Sequence, residues 1–260
     1  VITWTTAFLD DAAGDRAGTL RYWEAVTGTT SSPPRGPDGA FRTLVPGDGD
    51  PYLRVQRRRS GPAAVHLDLH ADDVRGTAEA AVRLGAREVA AEEHVVLRSP
   101  GGLAFCVVPA SPRSPETSTS LPAGRPAPQR WRTPDGRAHA SLLDQLAVDV
   151  PGGSWDAERR FWGALTGWAE HPTAPDAHLV PLRRPGGLPL RLLLQRLDEA
   201  GGPVRAHLDL ACTDRRAETD RHVALGARVE RVRERWTVLV DPAGRRYCLT
   251  DRDPATGLLP

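Results

Sequence analysis

Two short stretches of this chain place imidazole beside carboxylate. His66, Asp68 and His70 alternate with Leu67 and Leu69, and the two-residue period of an extended strand puts the three polar groups on one face. His207 and Asp209 repeat the arrangement between Ala206 and Leu210. A carboxylate so placed can complete a buried hydrogen-bond network, and we expect Asp68 and Asp209 to bond the neighbouring His or the backbone. His70 has Ala211 as its counterpart, so we expect it to be a partly exposed strand residue. Arg54 and Gln56 share a strand face in the same way. The three cysteines at 106, 212 and 248 are too few and too dispersed for a disulfide framework and lack CxxC spacing, so they read as reduced thiols. Cys212 alternates away from His207, which assigns it to the core.

These residues recur because the chain is a duplication. His207 follows His66 by 141 residues, and Leu225-Gly226-Ala227-Arg228 follows Leu84-Gly85-Ala86-Arg87 by the same interval. Phe161-Trp162 to Thr166-Gly167 follows Tyr22-Trp23 to Thr27-Gly28 by 139, Gln195 follows Gln56 by 139, and Tyr247-Cys248 follows Phe105-Cys106 by 142. Drifts this small are loop insertions. Three segments follow: a first domain over 1–110, a Pro/Ser/Arg-rich linker over 111–138, and a second domain over 139–253.

Within the first copy, Thr3 to Leu9 reads as a strand and Asp15 to Thr27 as a helix stopped by Gly28. Strands over Phe41–Val45 and Tyr52–Gln56 follow. The pattern then restarts with strand Val65–Ala71, helix Val74–Leu84 stopped by Gly85, and strands Glu88–Ala91, His94–Arg98 and Leu103–Val108. Ser99-Pro100-Gly101-Gly102 makes the last hairpin turn, with Asp241-Pro242-Ala243-Gly244 as its counterpart. The order is βαβββ, twice per copy. Trp23 and Trp162 read as core packing, and Arg57-Arg58-Arg59 as a solvated turn.

Composition narrows the function classes. The 260 residues carry 34 Lys+Arg against 33 Asp+Glu, a formal charge of +1 that lacks the basic footprint of a nucleic-acid partner. No apolar run approaches the roughly 20 residues of a membrane span. Every basic side chain is Arg, there is no Asn or Met, and Ile2 is the single Ile, a bias we read as the GC-rich codon usage of a bacterium. The N-terminus has no leader-like pattern, which gives a cytoplasmic expectation.

The paired βαβββ order, the aromatic-Trp-x-x-x-Thr-Gly helix ends, the strands running from His66 to Asp72-Asp73 and from His207 to Thr213-Asp214, and the Asp241-Pro-x-Gly-x-x-Tyr247 hairpin resemble the vicinal oxygen chelate superfamily. That group contains glyoxalases, bleomycin-resistance proteins and extradiol dioxygenases, and the resemblance is nearest to its glyoxalase-like domains. It covers nearly the whole chain except the linker and the extreme C-terminus. It implies an α+β fold of two tandem domains, each a pair of βαβββ modules forming a cup-shaped mixed sheet.

In active members, the resemblance further implies, four ligands meet at the centre of each cup, one from the first and one from the last strand of each module. Those slots fall on Thr6, Gln56, His66 and Cys106 in the first copy and on Gln145, Gln195, His207 and Cys248 in the second. None of the eight is a carboxylate. Isomerase, lyase and oxygenase chemistry on such a site uses His and carboxylate donors, and Gln is a weak one. The expectation is therefore a protein that binds a small organic molecule, with Gln56, His66, Cys106, Gln145, Gln195, His207 and Cys248 lining the pockets and no metal cofactor. The alternative is a metal-dependent lyase, isomerase or dioxygenase holding Zn, Ni, Mn or Fe through His66 and Cys106 or His207 and Cys248. Those pairs could also form a thiolate–imidazolium couple, against which stands the reading of Cys as a small buried hydrophobe. Whether the chain is an enzyme stays open at this stage. The expected assembly is a monomer with intramolecular domain pairing, a homodimer being the other possibility.

Overall fold

The structure is a computed structural model that describes residues 1–12, 16–110, 124–174 and 176–259. The first copy opens with β1 (Ile2–Asp11), α1 (Arg16–Thr27), a two-residue β2 (Thr30–Ser31), β3 (Phe41–Val45) and β4 (Leu53–Arg57). Its second module is β5 (Ala64–Ala71), α2 (Val74–Arg83), β6 (Arg87–Ala91), β7 (Val95–Arg98) and β8 (Ala104–Pro109). The second copy begins with β9 (Gln129–Arg132), β10 (Ala138–Pro151), α3 (Trp155–Thr166), β11 (Leu179–Pro181) and β12 (Arg191–Leu197). It ends with β13 (Arg205–Cys212), α4 (Arg215–Ala224), β14 (Arg228–Val232), β15 (Trp236–Val240) and β16 (Arg246–Thr250). Two mixed eight-stranded sheets result, ordered β2-β3-β4-β1-β5-β8-β7-β6 and β11-β12-β10-β13-β16-β15-β14, with β9 paired to β10. Among the described residues no helix is long and apolar enough to cross a membrane.

Local signals account for the element ends. Asp73 and Asp214 cap α2 and α4 by accepting from the backbone N–H of Gly76 and Ala217 at 2.8 and 2.9 Å. Gly85 and Gly226, at φ of 108° and 111°, stop the same helices in a region side-chain-bearing residues avoid. The structure corrects two sequence expectations and completes a third. The linker assignment extends over residues that form β9 and the start of β10, because Gln129–Arg132 finds a partner in Ala138–Ser141; the part at 111–123 lies outside the described residues. The first module of each copy has a third extended segment that composition hid: β2 in one copy and an isolated Glu170–Leu182 bridge in the other. His70 is 4% exposed, its Nε2 lying 2.9 Å from Thr6 Oγ1 on β1.

The described residues divide into two compact units, each taking a module from both copies. The first comprises Val1–Phe8, 65–110 and Leu146–Ala206. In it Phe105 packs edge-on to Phe161 and Trp162 at 5.7 and 5.3 Å between ring centroids. The Gly101 N–H donates to Glu158 at 2.6 Å, and a Cβ at Gly101 would meet Val204 at 2.3 Å, so a side chain there would have to displace Val204. Burial pushes the Glu158 carboxyl up against the hydrogen bonds of Ser99, Gly101 and Trp162.

The second unit comprises 9–64, 124–145 and 207–259. Its core joins Tyr22 and Trp23 of α1 to Tyr247 of β16, with the Trp23 Nε1–H donating to Asp241 at 3.0 Å. Trp23 and Trp162 are both fully buried, as core residues should be.

Candidate metal and ligand site

The His strands are amphipathic in the period-two sense. Val65, Leu67 and Leu69 on β5, and Leu208 and Leu210 on β13, are buried on one side, which leaves His66, Asp68, His207 and Asp209 on the other. The cysteines arrive by strand pairing. β5 and β8 run parallel with Asp68 opposite Cys106, and β13 and β16 run parallel with Asp209 opposite Cys248. Neighbours across a ladder point to the same face, so a His-x-Asp stretch beside such a Cys converges three donor groups. In each copy one donor atom from His, one from Asp and one from Cys lie within 4.8 Å of one another.

The two clusters share a plan and differ in detail. His66 Nε2 stands 3.6 Å from Asp68 Oδ1, and His207 Nε2 stands 3.2 Å from Asp209 Oδ1. Phe8 stacks on the His66 ring at 4.5 Å and 11° between planes, which holds its orientation. Asp209 Oδ2 accepts from Gln145 Nε2. Burial pushes the Asp209 carboxyl up, but His207, Arg252 and Gln145 together outweigh it and hold the group below its ordinary value. Each Cys lies opposite a valine on the next antiparallel strand, Val96 or Val238. Cys106 is half-buried and Cys248 buried.

Of the residues expected to line the pockets, the structure gathers His66 with Cys106, and Gln145 with His207 and Cys248. Thr6 is turned to His70 instead. Gln56 lies on β4 opposite Phe41, and Gln195 on β12 opposite Leu179. Cys212 is core: it is 2% exposed, its thiol donates to the Thr250 carbonyl at 3.2 Å, and burial pushes that thiol far up. The residues that slot-by-slot reasoning missed as donors are Asp68 and Asp209. The eight slots themselves carry no carboxylate, but the His strand supplies one two residues on, at Asp68 and Asp209. The signal was the His-x-Asp alternation, which fixed the face but not the parallel register that brings Cys alongside.

The profile of the glyoxalase-like domain matches residues 6–108 and again residues 145–250. Among curated proteins none matches the chain significantly. Solved structures of similar fold include a mutant of 4-hydroxymandelate synthase from Streptomyces coelicolor, at 17% identity and TM-score 0.61 over 97% of this chain and 93% of that one. An extradiol ring-cleaving dioxygenase from B. fuscum aligns at 15% identity and TM-score 0.63 over 98% of this chain and 73% of that one. The Mn(II)-bound glyoxalase from Novosphingobium aromaticivorans aligns at 12% identity and TM-score 0.62 over 97% of this chain and 82% of that one. At such identities the likeness is one of fold. With the profile matched once in each half and the duplicated βαβββ modules folded into two mixed sheets, the chain belongs to the glyoxalase-like domain family of the vicinal oxygen chelate superfamily, as a tandem pair.

Proposed function

We propose that this protein binds a divalent metal ion through a His–Asp–Cys set and, beside it, a small organic molecule bearing oxygen donors. The observation that carries the reading is the convergence of the three donor types within 4.8 Å on one strand-pair face, found in both copies. The spacing fits in the first copy: with metal–ligand bonds of about 2.0–2.2 Å to N and O, the edge of a tetrahedral site is roughly 3.3–3.6 Å, which the 3.6 Å His66–Asp68 separation matches and the 3.2 Å His207–Asp209 separation falls just short of. Asp68 Oδ1 is buried and accepts no hydrogen bond, as a donor reserved for a cation would be. Three protein ligands leave a fourth position for water or substrate, the pattern of catalytic rather than closed structural sites.

The donor set also favours one reaction class. Thiolate with imidazole and carboxylate suits zinc better than iron of the two-His, one-carboxylate type, so isomerase or lyase chemistry fits these residues better than ring-cleaving oxygenation. An ion held there would supply a Lewis acid for a carbonyl or hydroxyl oxygen. Around it, Phe8 fixes the His66 ring, Val96 and Val238 give the clusters apolar flanks, and Asp68 or Asp209 supplies negative charge.

The test is elemental analysis of protein purified without a metal-affinity step, then challenged with zinc, nickel, manganese and ferrous iron and dialysed. Stoichiometric metal, lost in the His66→Ala plus His207→Ala variant, is the expected result. Protein that stays metal-free after every challenge overturns the reading and returns the clusters to metal-free binding of an organic molecule.

A further inference from the structure

We propose that the two clusters are not equivalent: His66–Asp68–Cys106 takes the metal ion, while in the second copy Gln145 and Arg252 occupy the role that the ion would play for Asp209. This inference rests on the metal-binding reading above and adds which site is competent and which residues silence the other. A metal-binding carboxylate needs an unclaimed lone pair and an uncompensated charge. Asp209 keeps an open Oδ1, as Asp68 does, but its other oxygen and its charge are already engaged. Its Oδ2 already accepts from Gln145 Nε2, so loading a cation would have to displace or share a buried hydrogen bond. Arg252, only 4% exposed, stands nearby with its Nε–H on Thr250 Oγ1 at 3.1 Å and its Nη1–H on Asp144 Oδ2 at 2.6 Å. Arg125 approaches the same Asp144 carboxylate at 3.9 Å. Two guanidinium groups thus face one Asp144 carboxylate, and the charge of Arg252 acts on Asp209 through a dry interior. A divalent cation added there meets positive charge that cannot titrate away.

The first copy does not carry these side chains at the corresponding positions. The positions corresponding to Gln145, Asp144 and Arg252 are Thr6, Thr5 and Ala110, and Thr6 spends its hydroxyl on His70. The nearest described imidazole to Asp68 Oδ1 is 3.6 Å away, too far for a hydrogen bond but right for a shared ion. Access differs in the same sense, since Cys106 is half-buried and Cys248 buried. The second copy therefore keeps the fold and the His-x-Asp strand as a self-compensated polar core.

The full chain is titrated with zinc by calorimetry and its metal content measured after dialysis, alongside the single variants His66→Ala, Cys106→Ser, His207→Ala and Cys248→Ser. Cobalt substitution provides a second readout, a thiolate-to-cobalt absorption band that does not depend on activity. One equivalent per chain is expected, abolished by His66→Ala, with the cobalt band lost in Cys106→Ser and retained in Cys248→Ser. The conservative serine variants keep the test valid should a histidine variant fail to fold. Two equivalents in the wild type overturn the asymmetry while leaving the metal reading standing. One equivalent lost in His207→Ala and kept in His66→Ala overturns the assignment of the competent copy. No metal in the wild type overturns the metal reading and this inference together.

Discussion

Removing the Arg245 guanidinium tests the physical account of how the two copies are held. Arg245 is 4% exposed and sits on the closing hairpin of the second copy, three residues before Cys248. Its Nη1–H groups donate to Asp11 Oδ1 at 2.6 Å and the Asp10 carbonyl at 3.0 Å, Nη2–H to Thr19 Oγ1 at 2.9 Å, and Nε–H to Asp241 Oδ2 at 3.0 Å. Asp11 and Asp241 are 3% and 4% exposed, so Arg245→Leu leaves two carboxylates in a dry interior without their cation. Breaking a buried pair by deleting one partner costs about 3–5 kcal/mol, most of it the penalty of the charge left behind. For a chain of this length about 1 kcal/mol moves the melting temperature by roughly 2–4 °C, so the variant should melt about 6–20 °C lower in calorimetry. Adding Asp11→Asn removes one stranded charge, and the double variant should recover about 0.5–3 kcal/mol relative to additivity. A shift below about 2 °C for Arg245→Leu, or strict additivity in the double variant, would refute the claim that these charges depend on each other.

Two further outcomes follow from the same electrostatics. Burial pushes the Glu218 carboxyl up, but hydrogen bonds and charge from Arg221 and His222 outweigh it and hold the group well below the usual range. A depressed folded-state value gives stability that is complete above the unfolded carboxylate range of about 4.3 and lost as pH falls; denaturant melts at pH 3, 5 and 7 should show Glu218→Gln losing part of the wild type's acid-side decline, and parallel curves would contradict the assignment. Thiol labelling followed by mass spectrometry should modify Cys106 before Cys248 and Cys212, because Cys106 is half-buried while burial keeps the Cys212 thiol protonated. Labelling of Cys212 first would contradict it.

The sequence by itself determined the duplication, the βαβββ order, the helix stops at Gly85 and Gly226, and the strand face that carries His66 with Asp68. All of these are local: periodicity, capping and turn chemistry are written within a few residues, and a tandem repeat prints each signal twice. The tertiary structure alone decided which donors meet. Parallel pairing of β5 with β8 and of β13 with β16 fixed the register that sets each Cys beside its Asp, and no short-range pattern encodes the register of strands joined through a helix and a hairpin. The exchange of modules within each unit was equally hidden, since Phe105 against Trp162 and Trp23 against Asp241 are contacts between residues tens to hundreds of positions apart. His70 shows the limit at a single residue: its Ala211 counterpart suggested exposure, whereas the fold buries it with its Nε2 beside Thr6 on β1. The same holds for the difference between copies, where Gln145 and Arg252 act on Asp209 through distance in space.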